Sequence, residues 1–238
     1  MKLDILAMGV HPDDVELSCA GTLLKAKAEG KKIGILDFTI GELGTRGSGP
    51  LRLNEAAASA KILGLNVREN LGYKDGFFQN DEHHQRGIVR MLRRYRPDIV
   101  LCNALEDRHP DHGRAAKLSS DACFYSGLRK IETDWDGEAQ DAWRPAAVYH
   151  YIQDRPSKPD FVVDVGEFVE RKMEAIKAFK SQFHDPASNE PESPLTMANF
   201  FDVVRARMSE MGRYILTDYA EGFHAARPMG VRSLDDMY

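Results

Sequence analysis

The sequence is poor in cysteine and has no long hydrophobic run, and each shortage excludes a class of protein. Its three cysteines, Cys19, Cys102 and Cys123, are odd in number and widely spaced, which argues against the disulfide framework of a small secreted protein. No apolar stretch approaches the roughly 20 residues that a membrane-spanning helix needs. We therefore expect free thiols, a cytoplasmic location and no membrane partner.

The sequence also lacks an excess of basic residues. Lysine and arginine number 32 against 37 aspartates and glutamates, which gives a formal net charge of -5 at pH 7. Nucleic-acid-binding proteins typically present a basic surface, so we expect no nucleic-acid partner, and an anionic ligand would have to meet individual arginines. The amino-terminal apolar stretch is shorter than the core of a secretory signal and contains Asp4, so we expect no signal peptide.

The first half of the chain alternates short apolar runs with amphipathic stretches. Strands are predicted at residues 4–10, 32–39, 69–73 and 98–103. Helices are predicted at residues 15–29, 51–63 and 81–95, and again from residue 109 onward. This alternation predicts an α/β fold: a three-layer, Rossmann-like, doubly wound and mostly parallel sheet with helices on both faces. At 238 residues and 42% hydrophobic content, we expect one domain over residues 1–238.

The second half is less regular. Strands are predicted at residues 147–152 and 161–165, and helices at 166–183 and 197–214. His83 and His84 lie on a charged helix and are predicted to face solvent. His184 and His224 lie in regions where the pattern assigns them no role.

A His-Pro-Asp-X motif occurs twice, at residues 11–14 (HPDD) and at residues 109–112 (HPDH). Each copy follows a predicted strand and opens a helix, with proline in the first turn, where a helix tolerates it. The spacing of three places the first and last residue of each motif on one face of its helix. In a doubly wound sheet of the common order, the first and fourth strands are neighbours where the winding reverses, and ligands bind outside their carboxyl ends. We therefore expect the two motifs to converge on one crevice.

Together the motifs supply three histidines and three carboxylates, from which a catalytic zinc site could draw three ligands and a base. A single motif is better explained as a helix start, whose dipole favours carboxylates, but the second copy at the neighbouring strand favours a metal site. We expect Asp14 as a ligand and Asp13, turned about 100° further round the helix, as a general base. The pattern leaves open which histidine stays off the metal; that one would stabilise an oxyanion or protonate a leaving amine.

These motifs and two intervening segments resemble the LmbE/PIG-L-like deacetylases, zinc enzymes that act on N-acetylglucosaminyl compounds. The matching segments are HPDD at 11–14, GELGTRG at 41–47, RLNEA at 52–56 and HPDHGRA at 109–115. The resemblance is dense up to residue 125, and beyond it only the KSQF at 180–183 is similar. Within the family, the motifs look most like those of the members that convert N-acetylglucosaminyl malate to glucosaminyl malate and acetate in bacillithiol biosynthesis. Another N-acetylglucosaminide, of the chitobiose type, is the alternative substrate.

The resemblance implies a metal-dependent amidohydrolase with Zn²⁺ as its cofactor, a small-molecule substrate and a homo-oligomeric state, trimer or hexamer. The metal ligands it implies are His11, Asp14 and His112. It assigns Asp13 as general base and His109 as the unligated histidine near the oxyanion. Asp111 would orient His109 through a hydrogen bond, although a plain first-turn helix carboxylate is an equal explanation for it.

Substrate contacts are implied on loops and helix starts at the carboxyl edge of the sheet. In related sugar deacetylases, an acidic residue after the second strand and an arginine in the next helix hold sugar hydroxyls; these match Glu42 and Arg52, and Asp75 matches a third contact. A flexible turn and an ordinary helix ion pair are the alternative explanations for the first two. Because malate presents two carboxylates, Arg46 and Arg108 are candidate clamps for it.

Two other functions are compatible with this fold class. A nucleotide-binding oxidoreductase would need a glycine-rich turn after the first strand, where the chain has His-Pro-Asp-Asp instead; its glycines at 41, 44 and 47 follow the second strand. A non-catalytic metal- or sugar-binding module would fill the coordination sphere of its metal, whereas an enzyme keeps one position open.

Overall fold

The computed structural model describes residues 1–183 and 188–233, and its first half follows the predicted alternation. The strands of this half are β1 (Ile5–Gly9), β2 (Ile33–Asp37), β3 (Val67–Asn70) and β4 (Ile99–Cys102). The helices are α1 (Asp14–Ala28), α2 (Gly49–Leu63), α3 (Glu82–Tyr95) and α4 (Pro110–Tyr125). Strands β1 and β2 are buried along their whole length, as expected for parallel strands covered on both faces.

The second half adds five strands and two α-helices to the described structure. The strands are β5 (Asp134–Trp135), β6 (Glu138–Ala139), β7 (Ala147–Tyr151), β8 (Phe161–Asp164) and β9 (Ala220–Ala225). The helices are α5 (Val169–Lys177) and α6 (Phe200–Gly212). The sequence pattern missed the small β5–β6 hairpin and β9, because neither forms a continuous or alternating apolar run. Within the described ranges, no helix has both the length and the apolar character needed to cross a bilayer.

Seven strands form one sheet in the order β3-β2-β1-β4-β7-β9-β8. All neighbouring pairs are parallel except those of β9, which runs antiparallel to both β7 and β8. Strand β1 lies between β2 and β4, so the winding reverses there and the carboxyl ends of β1 and β4 are adjacent. The predicted doubly wound, mostly parallel sheet is confirmed.

The core has apolar clusters on both faces of the sheet. Leu6 and Met8 of β1 pack with residues of α3 and α4, whereas Ile5 and Ala7 pack with residues of α1. Alternate side chains of a strand point to opposite faces, so one short strand contributes to both clusters. Helices therefore cover both faces, and the three-layer prediction is confirmed.

Among the predicted boundaries that differ from the structure, two are explained by side-chain hydrogen bonds. Strand β3 ends at Asn70 instead of reaching residue 73, because Asn70 Oδ1 accepts the Gly72 amide at 2.8 Å in a turn where Gly72 has a φ of +64°. The helix predicted at 166–183 is a 3-10 turn followed by α5. Beyond α5, Ser181 donates its amide and hydroxyl to the Glu55 carboxylate of α2, both at 2.7 Å, which draws the chain out of the helix. His184 lies outside the described residues.

Helix α1 is interrupted at Cys19, whose backbone is non-helical (φ -138°, ψ 18°). The interruption frees amide groups in the middle of the helix, and the Glu221 carboxylate of β9 accepts those of Gly21 and Thr22 at 2.9 and 2.7 Å. Lys172 of α5 donates to the same carboxylate at 2.6 Å, and both side chains of this ion pair are almost fully buried. A carboxylate from the last strand thus caps a break in the first helix.

Candidate active site

The first motif fixes the Asp14 carboxylate at the carboxyl end of β1. The amides of Val10 and His11 donate to Asp14 Oδ2 at 2.9 and 3.1 Å, and Asn103 Nδ2, at the end of β4, donates to the same oxygen at 3.0 Å. These three bonds satisfy Oδ2. Oδ1 instead faces His112 Nε2 at 3.2 Å, so one oxygen of Asp14 points towards the second motif.

The two motifs meet, as the topology predicts. The His11 and His112 ring centroids lie 5.7 Å apart, and His11 Nδ1 lies 3.8 Å from Asp14 Oδ2. One potential ligand atom from each of His11, Asp14 and His112 falls within 4.8 Å of the other two. Ligand atoms round a tetrahedral zinc lie roughly 3.4 Å from one another, since each is about 2.1 Å from the metal. These three buried side chains are therefore spaced to hold one cation.

In both histidines of this trio, the ring nitrogen that points away from Asp14 is hydrogen-bonded to a carboxylate. Asp75 Oδ1 lies 2.9 Å from His11 Nε2, and Asp107 Oδ2 lies 2.5 Å from His112 Nδ1. Metal-bound histidines almost always have such an outer partner, which fixes the tautomer and the ring orientation. The motif analysis missed Asp107, whose only sequence signal is an acidic residue on the loop before the second motif. It predicted Asp75 as a sugar contact, whereas the structure makes it the partner of His11.

A second trio, of His11, His109 and Asp111, also satisfies the distance criterion for a metal. Its carboxylate is already used, because Asp111 Oδ2 accepts the Gly76 amide at 2.9 Å and Oδ1 accepts Arg114 Nη1 at 2.8 Å. In addition, the His11 nitrogen that faces Asp111 is Nε2, which is already hydrogen-bonded to Asp75. The trio that contains Asp14 is therefore the better metal site.

His109 caps the start of α4 and lines the same crevice. Its Nδ1 accepts the Asp111 main-chain amide at 3.3 Å, so the neutral ring carries its proton on Nε2. Burial, followed by the charges of His11 and His112, lowers the pKa of His109 and favours this neutral form. The prediction that the Asp111 side chain orients His109 is wrong, because its main chain does so while the carboxylate binds elsewhere.

Asp13 is 3% exposed and lines the crevice beside the trio. Arg52 Nη2 donates to its Oδ2 at 2.5 Å. Its backbone has a φ of +133°, a strained conformation that costs about 1–3 kcal/mol in a non-glycine residue and is concentrated at functional sites. Burial, reinforced by Asp14 and opposed by Arg52, raises the pKa of Asp13 to about 6. The carboxylate is therefore ionised at pH 7, yet a stronger base than an exposed aspartate.

The trio itself binds protons tightly. Burial disfavours the charged form of His11 and His112, but hydrogen bonds and the charges of Asp14, Asp75 and Asp107 outweigh it, raising the pKa of His11 to about 9 and that of His112 to about 10. Burial alone would raise the pKa of Asp14, but the charge of His112 and the bonds to both histidines hold it well below its usual value.

Comparisons with known proteins identify the family. The profile described as "PIG-L: GlcNAc-PI de-N-acetylase" matches residues 6–123. The diacetylchitobiose deacetylase of Thermococcus kodakarensis is 30% identical over 190 residues, which cover 75% of this chain and 70% of that protein. The chain belongs to the PIG-L/LmbE deacetylase family.

Two further comparisons agree with this assignment. The crystal structure of a conserved protein from Thermus thermophilus superposes with a TM-score of 0.86 at 34% identity, covering 98% of both chains. A probable N-acetyl-α-D-glucosaminyl L-malate deacetylase of Bacillus anthracis is 24% identical over 195 residues, 75% of this chain and 81% of that protein. The predictions of this family and of a hydrolase are confirmed.

The two arginines predicted to bind the substrate of this PIG-L/LmbE deacetylase already have partners within the protein. Arg46 is 7% exposed, and its guanidinium donates to the main-chain carbonyls of Pro191 and Glu190 at 2.7 and 3.1 Å. Arg108 pairs with Asp154 at 2.8 Å. Arg46 was predicted as a free carboxylate clamp, but its guanidinium instead links two loops. Arg108 lines the crevice, but its charge is already paired with Asp154.

The predicted sugar contacts also have partners inside the protein. Arg52 lines the crevice, but its guanidinium is turned to Asp13 and to the Pro12 carbonyl, 3.2 Å away. Glu42 is exposed and accepts the Asp75 amide at 2.9 Å, and it lies outside the crevice wall as the described residues define it. The two loops are thereby joined at the edge of the site, with Asp75 between them.

A buried ionic network beneath the first motif was not predicted. Arg68 of β3 donates to Glu16 Oε1 at 2.6 Å and to both oxygens of Asp37 at 2.7 and 3.0 Å, and Ser59 of α2 also donates to Glu16 at 2.6 Å. Glu16 lies in the first turn of α1, two residues after Asp14. The network therefore ties the start of α1 to β2, β3 and α2 and fixes the motif in place.

We expect metal binding at pH 7 to release close to two protons. With pKa values of about 9 and 10, His11 and His112 are protonated in the metal-free protein, whereas a ligand nitrogen must be neutral. Apparent affinity should therefore fall as the pH is lowered from 9 to 6. Calorimetric titration with Zn²⁺ in buffers of different ionisation enthalpy measures the number released, and a value near zero would contradict the assignment of both histidines.

We expect Asp107→Asn to weaken metal binding by about 10–100-fold, because the His112 imidazole loses the carboxylate that orients it and strengthens it as a ligand. Competition with a zinc-sensitive dye measures the affinity. Asp121→Asn is the matched control, since Asp121 lies further along α4 and pairs with Lys117 on the surface. Equal affinities in the two variants would remove Asp107 from the site.

Proposed function

We propose that the chain hydrolyses the acetamide of an N-acetylglucosaminide to a free amine and acetate, with Zn²⁺ as its metal. The observation that carries the proposal is the convergence of His11, Asp14 and His112 on one point, with Asp13 and His109 beside it in one crevice. Two imidazoles and one carboxylate are a donor set that zinc accepts, and the carboxylate partners of both imidazoles support it. When bound, the metal supplies Lewis acidity towards the acetamide carbonyl.

Asp13 and His109, which lie beside the three ligands, have separate roles in the reaction. Asp13 accepts a proton from the attacking water, for which its raised pKa and its position on the crevice wall suit it. His109 Nε2–H donates a hydrogen bond to the carbonyl oxygen as negative charge develops there. When the C–N bond breaks, the amine nitrogen takes the proton from Asp13, which restores the carboxylate. Arg52 Nη2 donates to that carboxylate at 2.5 Å and so orients it.

Two relatives support the proposal that the substrate contains N-acetylglucosamine. They are named as deacetylases of diacetylchitobiose and of N-acetylglucosaminyl malate. Bacillithiol biosynthesis, and with it the malyl glycoside, is the narrower form of the proposal and has the support of the relative at 24% identity. The paired state of Arg46 and Arg108 does not favour a dicarboxylate. We therefore place the proposal at the level of N-acetylglucosaminides, with the malyl and chitobiose compounds as members to be compared.

An amine-release assay on N-acetylglucosamine, its methyl glycoside, diacetylchitobiose and N-acetylglucosaminyl malate tests this proposal. We expect amine and acetate in equal amounts in the presence of Zn²⁺, and none after chelation. Absence of amine from every compound with the zinc-loaded protein would refute the activity.

Three further properties belong to the proposal. We propose a single domain over residues 1–238, because one sheet draws its strands from residues 5 to 225. We propose a reducing cytoplasmic location, which the three buried free thiols support. The homo-oligomer is a prediction from the family resemblance that light scattering tests.

A further inference from the structure

The crevice that holds the two motifs continues into a second, apolar region. The whole cavity has a volume of about 350 Å³ and its wall includes both motifs and one face of α6. The apolar α6 residues on the wall are Phe200, Val204, Met208 and Met211, and the charged α6 residues Arg207 and Glu210 lie beside them. The spacing of the four apolar residues, which is four, four and three, puts them on one face of the helix, and Leu17, Ile152 and Leu195 are among the other apolar residues of the wall.

This apolar region lies on the opposite side of the metal site from the predicted sugar contacts. Arg52 and Asp75 belong to α2 and to the loop after β3, on the β2–β3 side of β1. The apolar wall instead joins Ile152, which follows β7, to α6, which packs on β9; both strands lie beyond β4 in the sheet order. The second side is therefore available to the anomeric substituent of a glucosamine ring that is held on the first side.

The cations on the cavity wall are already paired. Those among the described residues are Arg46, Arg52, Arg108, Lys172 and Arg207. Arg46 binds main-chain carbonyls and Arg52 binds Asp13; the other three bind Asp154 or Glu221 at 2.6 to 2.8 Å. Glu210 adds a further negative charge to the wall. An anionic group entering this region would meet Glu210 and would have to compete with the present partners of these cations, whereas an uncharged apolar group would not.

We propose that the apolar face of α6 is an aglycone subsite and that the preferred substrates are N-acetylglucosaminides with an alkyl or aryl aglycone. The inference rests on the proposed function. Methionines at two of the four positions allow the wall to adapt to aglycones of different shape, because their side chains are unbranched and flexible. The deacetylation chemistry is unchanged; the subsite contributes binding energy remote from the reacting bond.

The test compares methyl and hexyl N-acetylglucosaminides of the same anomeric configuration with the zinc-loaded protein. We expect kcat/KM for the hexyl glycoside to exceed that for the methyl glycoside by about 10-fold or more, because each buried methylene favours binding. N-acetylglucosaminyl malate should show no such gain. Binding of the two amine products, hexyl and methyl glucosaminide, is measured by calorimetry on the same protein.

A pair of neighbouring valines supplies matched variants. Val204→Thr replaces a methyl group on the cavity wall by a hydroxyl, and we expect it to reduce the hexyl-to-methyl ratio by about 5-fold. Val203 is 37% exposed and lies outside the cavity wall, so Val203→Thr should leave the ratio and the methyl activity unchanged. The ratio is independent of the fraction of folded enzyme, so partial unfolding of Val204→Thr cannot imitate the effect.

The outcomes separate this inference from the proposed function. Hydrolysis of the methyl glycoside with no gain for the hexyl compound, or a preference for the malyl compound, overturns the aglycone subsite and leaves the deacetylase standing. If no glycoside is hydrolysed, the proposed function fails, and the two product affinities still decide the subsite: equal affinities overturn it.

Discussion

Asp13→Asn is expected to lower kcat by about 10²–10⁴-fold while the protein keeps its metal. Asparagine has the shape of aspartate but cannot accept the proton of the attacking water. Because Asp13 lies outside the trio of His11, Asp14 and His112, the metal should bind as before. Amine release with metal analysis on the same sample measures both properties.

The fold should survive this substitution, because asparagine has the size and branching of the aspartate that already adopts the φ of +133° at this position. Asp136→Asn is a matched control: Asp136 also has a positive φ, of +52°, but lies in the turn of the β5–β6 hairpin. Undiminished kcat in Asp13→Asn would remove the base assignment, and loss of metal would make Asp13 a ligand.

His112→Ala is expected to abolish activity by removing the metal. The substitution removes one of the three ligands. It also leaves two carboxylate oxygens, Asp14 Oδ1 and Asp107 Oδ2, without their contact to the imidazole. The loss of affinity should exceed the ~10–100-fold expected for an outer partner. Calorimetric titration with Zn²⁺ measures the affinity, and near-ultraviolet circular dichroism checks the fold.

His84→Ala is the control for this variant, since His84 lies on α3 and pairs with Asp81 at 2.7 Å. His112→Asn provides a second replacement that is smaller and uncharged but polar, in case alanine impairs folding. Wild-type zinc affinity in either His112 variant would exclude this residue as a ligand.

The sequence predicted what depends on local periodicity and on chain order. The alternation of β1 to β4 with their helices determines a parallel sheet, and the order of a doubly wound sheet brings the ends of β1 and β4 together. That is why the convergence of residues 11–14 and 109–112 could be predicted without coordinates. Strand β9 could not, because its sequence AEGFHA has no pattern that distinguishes a strand from a loop.

The partners of the site residues could not be predicted either, because they depend on which side chains meet across loops. Asp107 contacts His112 only because the loop before α4 folds back on it, and Arg46 meets Pro191 across 145 positions of sequence. Conversely, a sequence match assigns a residue to a site without showing which way it points. Arg52 is at the site as predicted, but its charge is directed to Asp13.

The bond between Glu221 and the break in α1 makes the two halves of the chain interdependent. The family profile ends at residue 123, which suggests that a fragment up to that point holds the whole machinery. Such a fragment would expose the amides of Gly21 and Thr22 in mid-helix, about two turns beyond Asp14, with no carboxylate to receive them. Attempts to transplant or minimise this enzyme should therefore keep β9, which supplies neither the metal trio nor Asp13 or His109 and yet holds the helix that begins at Asp14.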